Sequence, residues 1–322
     1  MEDEVSNKDR EDVQSFFDSF LKPKAELLSG NALENRLKQI SKKLILFKVL
    51  RVLLFIAMFA SFFFGVSKIG PLVGMLLILP YLIVIFIISI KMIITDNEKK
   101  QLIGTNVVSR VIAHEFNIIE YDALKFIDRD EIEVAALIDN WNSCNGSDFI
   151  HGKYKGLTFT LSDIHLAFED KGDDAGSPRT KFKGQWLICE LNQNLNTKLR
   201  LCERSSEGKG KKSDVETENK IFNDKYRILT SDPKMASEIL TPYFMEYIIN
   251  MDNVAKAQTY ICFMDNKVHF ALNNNRDLFE ANDRNVIGGM SVDQLRSQIK
   301  QEVKDITTIM DTLLLNEFLF KK

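Results

Sequence analysis

LILFKVLRVLLFIAMFASFFFGV, residues 44–66, and IGPLVGMLLILPYLIVIFIISI, residues 69–90, are apolar runs separated only by Ser67 and Lys68. The second carries no charge. Each is close to the roughly 20 residues an α-helix needs to cross the hydrocarbon core of a bilayer. A soluble domain has no reason to present two such segments back to back. The pair therefore predicts a transmembrane helical hairpin over residues 44–94, with a tight turn between the spans.

The rest of the chain is arranged around that hairpin. Residues 1–43 read as N-terminal helices and residues 95–322 as a mixed domain large enough to bury its own core. The chain has 322 residues and a formal net charge of −3, which gives no basis for nucleic-acid binding. Its acidic start and late first apolar run do not fit a secretory signal, so both spans are expected to be retained. Arg36, Lys38, Lys42, Lys43, Lys48 and Arg51 precede or open the first span, and Lys91, Lys99 and Lys100 follow the second. The connecting turn offers only Lys68. Positive residues favour the cytoplasmic side, which predicts both termini inside and an inner-membrane location. Cys144, Cys189, Cys202 and Cys262 are scattered, as suits reduced thiols in the cytosol.

Within the hairpin, Lys48 and Arg51 are candidate interface residues, with Lys91 at the matching end of the second span. Taking Arg51 as the boundary leaves the first span at about 22 Å, short of the roughly 30 Å core, so both side chains are expected to reach back to the headgroups. Ala57, Ser61 and Gly65 recur at four-residue spacing, and the second span opens on Gly70 and Gly74. Small residues so placed let helix backbones approach closely, within the hairpin or between copies. Pro80 interrupts the second span. Neither run holds an acidic residue or a histidine, against a proton-coupled transporter.

Before the spans, Val13, Phe16, Phe17, Phe20 and Leu21 share one helical face, and Asn31 with Glu34 reads as a capping pair. Leu33, Leu37, Ile40 and Leu44 carry the next apolar face into the first span. After the spans, residues 96–116 read as a helix and 118–127 as strand-like. A helix is expected to run to about Trp141, followed by a loop over residues 142–152. Strands are expected at 157–161, 164–169, 185–191, 199–202 and 226–230, with Lys-aromatic-Lys-Gly leading into two of them. Asp265-Asn266 has the form of a hairpin turn between strands at 258–264 and 267–272. Ser291 with Gln294 opens a final helix. Helices and antiparallel strands in no strict alternation predict an α+β domain.

Residues 203–218, ERSSEGKGKKSDVETE, are almost free of apolar side chains and read as a mobile loop. Its Lys209, Lys211 and Lys212 are candidate contacts for an anionic partner, and Leu278 and Phe279 are candidate apolar contacts. His114-Glu115 lacks the second histidine of a zinc-protease helix, since Ile118 stands there. No cysteine or histidine pair has ligand spacing, so neither metal nor cofactor is expected. No nucleophile elbow, phosphate loop or dinucleotide fingerprint is present.

The order of parts resembles a bacterial two-span membrane protein family known by number as domain of unknown function 3137. The resemblance rests on the paired spans, on Phe182-Lys-Gly184, and on Tyr226-Arg-Ile-Leu-Thr-Ser-Asp232 through Ile239-Leu-Thr-Pro-Tyr-Phe-Met-Glu246. Phe263-Met-Asp-Asn-Lys267 and Arg276-Asp-Leu-Phe279 fit it too. It implies architecture and a bacterial inner-membrane setting, and supplies no catalytic residue. Two functions remain open: a membrane-anchored module that binds a protein or lipid, with self-association also open, and a tethered hydrolase or transferase using distant carboxylates, His151 or His165. For the second, one of these must meet another titratable group in a cleft.

Overall fold

The computed structural model describes residues 27–170, 177–204, 213–255 and 257–320. Val13, Phe16, Phe17, Phe20 and Leu21, and the basic residues Lys209, Lys211 and Lys212, lie outside the described residues. Helices α1 (Gly30–Lys68) and α2 (Pro71–Ile103) lead through a π-helical turn, Gly104–Val108, into α3 (Ser109–Glu115). Next come β1 (Asn117–Asp122), α4 (Arg129–Ala135), β2 (Ser143–Tyr154), β3 (Leu157–Phe168), β4 (Arg179–Glu190) and β5 (Lys198–Glu203). They are followed by α5 (Lys220–Lys225), β6 (Tyr226–Thr230), α6 (Pro233–Ile239), α7 (Pro242–Ala255), β7 (Gln258–Met264) and β8 (Lys267–Asn273). The chain then forms α8 (Asp283–Ile287), α9 (Val292–Leu314) and α10 (Glu317–Phe320). The fold is α+β.

Two compact units emerge, one running to Val107 with Ala281–Leu295 and the other covering Val108–Glu280 with Arg296 onward. In the first, α1 and α2 form an antiparallel pair, and α8 packs on α1. Gly70 makes the turn at φ +134°, a conformation that favours glycine. Leu33, Leu37, Ile40 and Leu44 are buried along one face of α1, as their spacing predicts. The expected Asn31–Glu34 cap does not form. Ser29 holds the N-cap position without a side-chain bond, and Glu34 accepts from the Val292 N–H at 2.9 Å.

The second unit is built on an eight-stranded antiparallel sheet ordered β1-β2-β3-β4-β8-β7-β5-β6. Both faces are covered. On one, Trp186, Ile188, Cys262 and Ala271 join Ile132 and Ala135 of α4 in a buried cluster. On the other, Leu161, Leu187, Phe270, Ile261 and Leu201 follow one another across the strand register, and the Phe244 ring of α7 meets Phe263.

Several boundaries differ from the sequence reading. The expected loop at 142–152 is strand β2. Its composition, SCNGSDFIHGKY, is poor in strand formers, but a register shift between Ser147 and Ile150, with Asp148 at φ +58°, lets it pair throughout. The helix expected to reach Trp141 stops at Ala135 because Ala136 turns left-handed. The two strands expected at 157–169 are one, β3. Lys153–Gly156 does contain a turn, whereas Lys181–Gly184 lies inside β4. Ser213 and Asp214, from the supposed mobile loop, are bonded along β6: the Ile228 N–H donates to Ser213 Oγ at 3.1 Å and the Asp214 N–H to the Ile228 carbonyl at 2.8 Å. At the opposite margin, β1 has a register shift between Ile118 and Glu120.

Gly184 shows why one residue type is required at the centre of the sheet. A Cβ there would lie 2.0 Å from the Leu272 carbonyl oxygen of the neighbouring strand. Gly184→Ala should therefore destabilise the second unit by at least about 2 kcal/mol, read as a lower urea midpoint in the intrinsic fluorescence of Trp141 and Trp186.

Candidate membrane-facing site

A core helix in a soluble protein turns its apolar side chains inward. Here α1 and the helical run from Pro71 are long and apolar enough to cross a membrane, yet only 6% and 11% of their most apolar stretches are buried. Phe55, Phe59, Phe63 and Phe64 on α1, and Leu72, Met75, Ile83 and Phe86 on α2, are exposed. From Val52 to Val66 the uncharged part of this surface extends about 22 Å along α1, and with the stems of Arg51 and Lys48 beyond it approaches the roughly 30 Å of a bilayer's hydrocarbon core.

Close packing joins the two helices near their turn. A Cβ on Gly65 would sit 2.9 Å from the Gly74 Cα, and one on Gly74 would sit 2.6 Å from Val66 Cγ2. These two glycines thus serve contact within the hairpin. Gly70 does not, because an added Cβ there meets nothing within 4 Å, and its part is the turn itself. Ala57 is half-buried, and Ser61 Oγ shares a 2.8 Å hydrogen bond with the Tyr81 hydroxyl. Beside that pair a groove of about 930 Å³ is lined by Ala60, Ser61 and Phe64 of α1 and by Leu77, Pro80 and Tyr81 of α2, among others.

At the other end of the hairpin lies an ionic clamp. The Lys99 ammonium, with its side chain only 9% exposed, donates to Asp283 Oδ1 and to the Ala281 carbonyl. Lys48 donates to the second oxygen, Asp283 Oδ2, at 2.9 Å. Arg36 pairs with Glu98 between the helices. Lys48, expected at the headgroups, therefore has a protein partner. Arg51 is half-buried and Lys91 exposed, with no ion pair described for either. Burial by itself would raise the Asp283 carboxyl, but hydrogen bonds and charge from Lys99 and Lys48 outweigh it and hold the group below its ordinary range. A carboxyl lowered on folding stabilises above its unfolded value and ceases to do so as pH falls through the native one. Asp283→Asn should cost about 3 kcal/mol at pH 7, since Lys99 would stay buried without a counter-charge. In denaturation of the detergent-solubilised protein the difference from wild type should fade below about pH 4.

The second unit contains a buried polar network that no local sequence pattern announces. Asp163, 2% exposed, accepts from Gln185 Nε2 at 3.1 Å and from the Leu278 N–H. Gln185 Nε2 also donates to the Arg276 carbonyl at 2.8 Å, and Asn274 Nδ2 donates to Gln185 Oε1 at 2.6 Å. Burial, then the charge of Asp148, push the Asp163 carboxyl well up, against these hydrogen bonds. The network fastens residues 274–279 to the sheet. It also explains Leu278 and Phe279, proposed from sequence as surface contacts: they are 7% and 3% exposed, and the Phe279 N–H is held by Glu302 Oε2 at 2.9 Å. Asp163→Ala should cost about 2–4 kcal/mol and expose a new protease site near Arg276, checked by limited proteolysis with mass spectrometry.

The histidines considered for catalysis each have a described partner. His151 Nδ1 meets Thr160 Oγ1 and His165 Nε2 meets Thr180 Oγ1, each at 3.0 Å, so the described partner is a threonine and not a second titratable group. His114 is exposed. His269 is buried and lowered to about 4 by that burial, and its Nδ1 accepts from the Trp186 indole at 3.3 Å. Burial raises the Cys262 thiol to about 12 and the Cys144 thiol to about 11, and raises Cys189 as well, so the thiolates needed for attack are suppressed.

The family described as protein of unknown function (DUF3137) matches residues 180–315, from β4 through α9, which bears out the resemblance over that stretch. The two apolar helices lie outside it. No curated protein matches the chain. Among solved structures, the crystal structure of the mycobacterial trehalose monomycolate transport factor A, TtfA, is 10% identical and covers 66% of this chain and 94% of that chain. Its TM-score is 0.33, a likeness that carries no argument about fold or activity.

Proposed function

We propose that the protein is a two-span inner-membrane protein with both termini cytoplasmic, whose α+β unit is a binding or scaffold module held at the inner face. One observation carries this reading: the longest apolar helices of the chain are exposed along most of their length, and water would not tolerate that surface. The orientation is supported by charge. Lys38, Lys42, Lys43 and Arg51 on α1, with Lys91 and Lys100 on α2, cluster at one end, and Lys68 stands alone at the other. A binding module is favoured over a tethered hydrolase because His151 and His165 bond to threonines and burial holds the Cys144 and Cys262 thiols protonated.

Cysteine accessibility tests the topology in a Cys144→Ser background, which removes the half-exposed native thiol. Ser67→Cys should react with an impermeant maleimide in intact spheroplasts, and Tyr243→Cys only after permeabilisation. The opposite pattern, or release of the chain by alkaline carbonate, would overturn the reading.

A further inference from the structure

The groove beside Ser61 and Tyr81 combines two unmet polar demands. Each hydroxyl carries one proton, and their mutual bond uses one of the two. The other proton has no described acceptor. On the same side of α2, Pro80 has no N–H, so the Leu76 carbonyl, which points along the helix toward it, is denied its usual donor. Pro80, Ser61 and Tyr81 all line the groove. One spare donor therefore lies in the groove, and a backbone carbonyl deprived of its usual donor stands next to the Pro80 ring that lines it.

Depth limits what can answer them. Ser61 lies eight residues before Ile69, about 12 Å of helix from the turn, and half of the hydrocarbon core is about 15 Å. The ester groups of phospholipids lie at the headgroup boundary and do not reach that level. A complementary group at this depth has to come from another membrane-embedded helix. A second copy brings the matching pair without any further requirement, since a two-fold axis sets the donor of each copy against the acceptor of the other.

We propose that this groove seats a second copy of the chain, docked hairpin to hairpin within the bilayer. Small Ala60 and Ser61 on the α1 wall let the neighbouring backbone approach. The proposal rests on the membrane reading above, and its test keeps the two apart.

In native membranes, and in the Cys144→Ser background, Ala60→Cys should give a disulfide-linked species of twice the chain mass on copper-phenanthroline oxidation. Phe59→Cys, turned about 100° round α1 and not lining the groove, should not. Ser61→Ala with Tyr81→Phe should weaken association of the full chain in nanodiscs roughly 3- to 15-fold for each hydrogen bond lost. Pro80→Ala, which returns a donor to Leu76, should weaken it as well while leaving the helix intact. Carbonate extraction accompanies each arm. A chain that stays in the membrane while Ala60→Cys fails to cross-link, links to a product of different mass, or links no better than Phe59→Cys overturns the dimer alone. Release of the chain by carbonate overturns the membrane reading itself.

Discussion

Apolar helices can be stabilised by turning inward or by surroundings that do not demand hydrogen bonds, and here the first route is closed. α1 and α2 touch along a narrow seam where Gly65 and Gly74 bring the backbones together, and over their most apolar stretches nearly everything else faces outward. Two helices cannot bury each other all round. In the hydrocarbon interior the helical backbone satisfies its own polar groups and the side chains lose nothing by exposure. Every other feature of the first unit follows from keeping this pair aligned: a one-glycine turn at one end and charges at the other.

Those charges are disposed with some economy. A lysine as enclosed as Lys99 is costly unless its charge is answered, and Asp283 answers it while also receiving Lys48. The carboxylate comes from residues 281–295, far along the chain, which cluster with the hairpin and not with the sheet that precedes them. The base of the hairpin is therefore completed only when the later part of the polypeptide has been made.

What could be read from the residues divides along physical lines. Continuous apolarity, the Asp265-Asn266 turn and the Ser291–Gln294 cap are local, and the structure reproduces them; Ser291 and Gln294 exchange bonds at 2.9 and 3.1 Å. Strand β2 was opaque because its residues favour turns, and only its neighbours make it a strand. The clamp was half visible: Lys48 stood out as a charge near a span, but its partner lies 235 residues away. Asp163 gave no sign at all, since a carboxylate among strand residues acquires meaning only when Gln185 and the Leu278 N–H arrive from other elements. Leu278 and Phe279, open from sequence to either contact or burial, are buried.

The margins of the eight-stranded sheet have a consequence for crowding. A protein tethered to a membrane diffuses in two dimensions and meets its own copies far more often than a free one would. An open strand would then be a standing invitation to fibrous growth. Ser213 and Asp214 occupy the β6 border, and the irregularity at Ile118 disrupts the ladder of β1. Encounters between tethered copies would thereby be kept from propagating sheet to sheet.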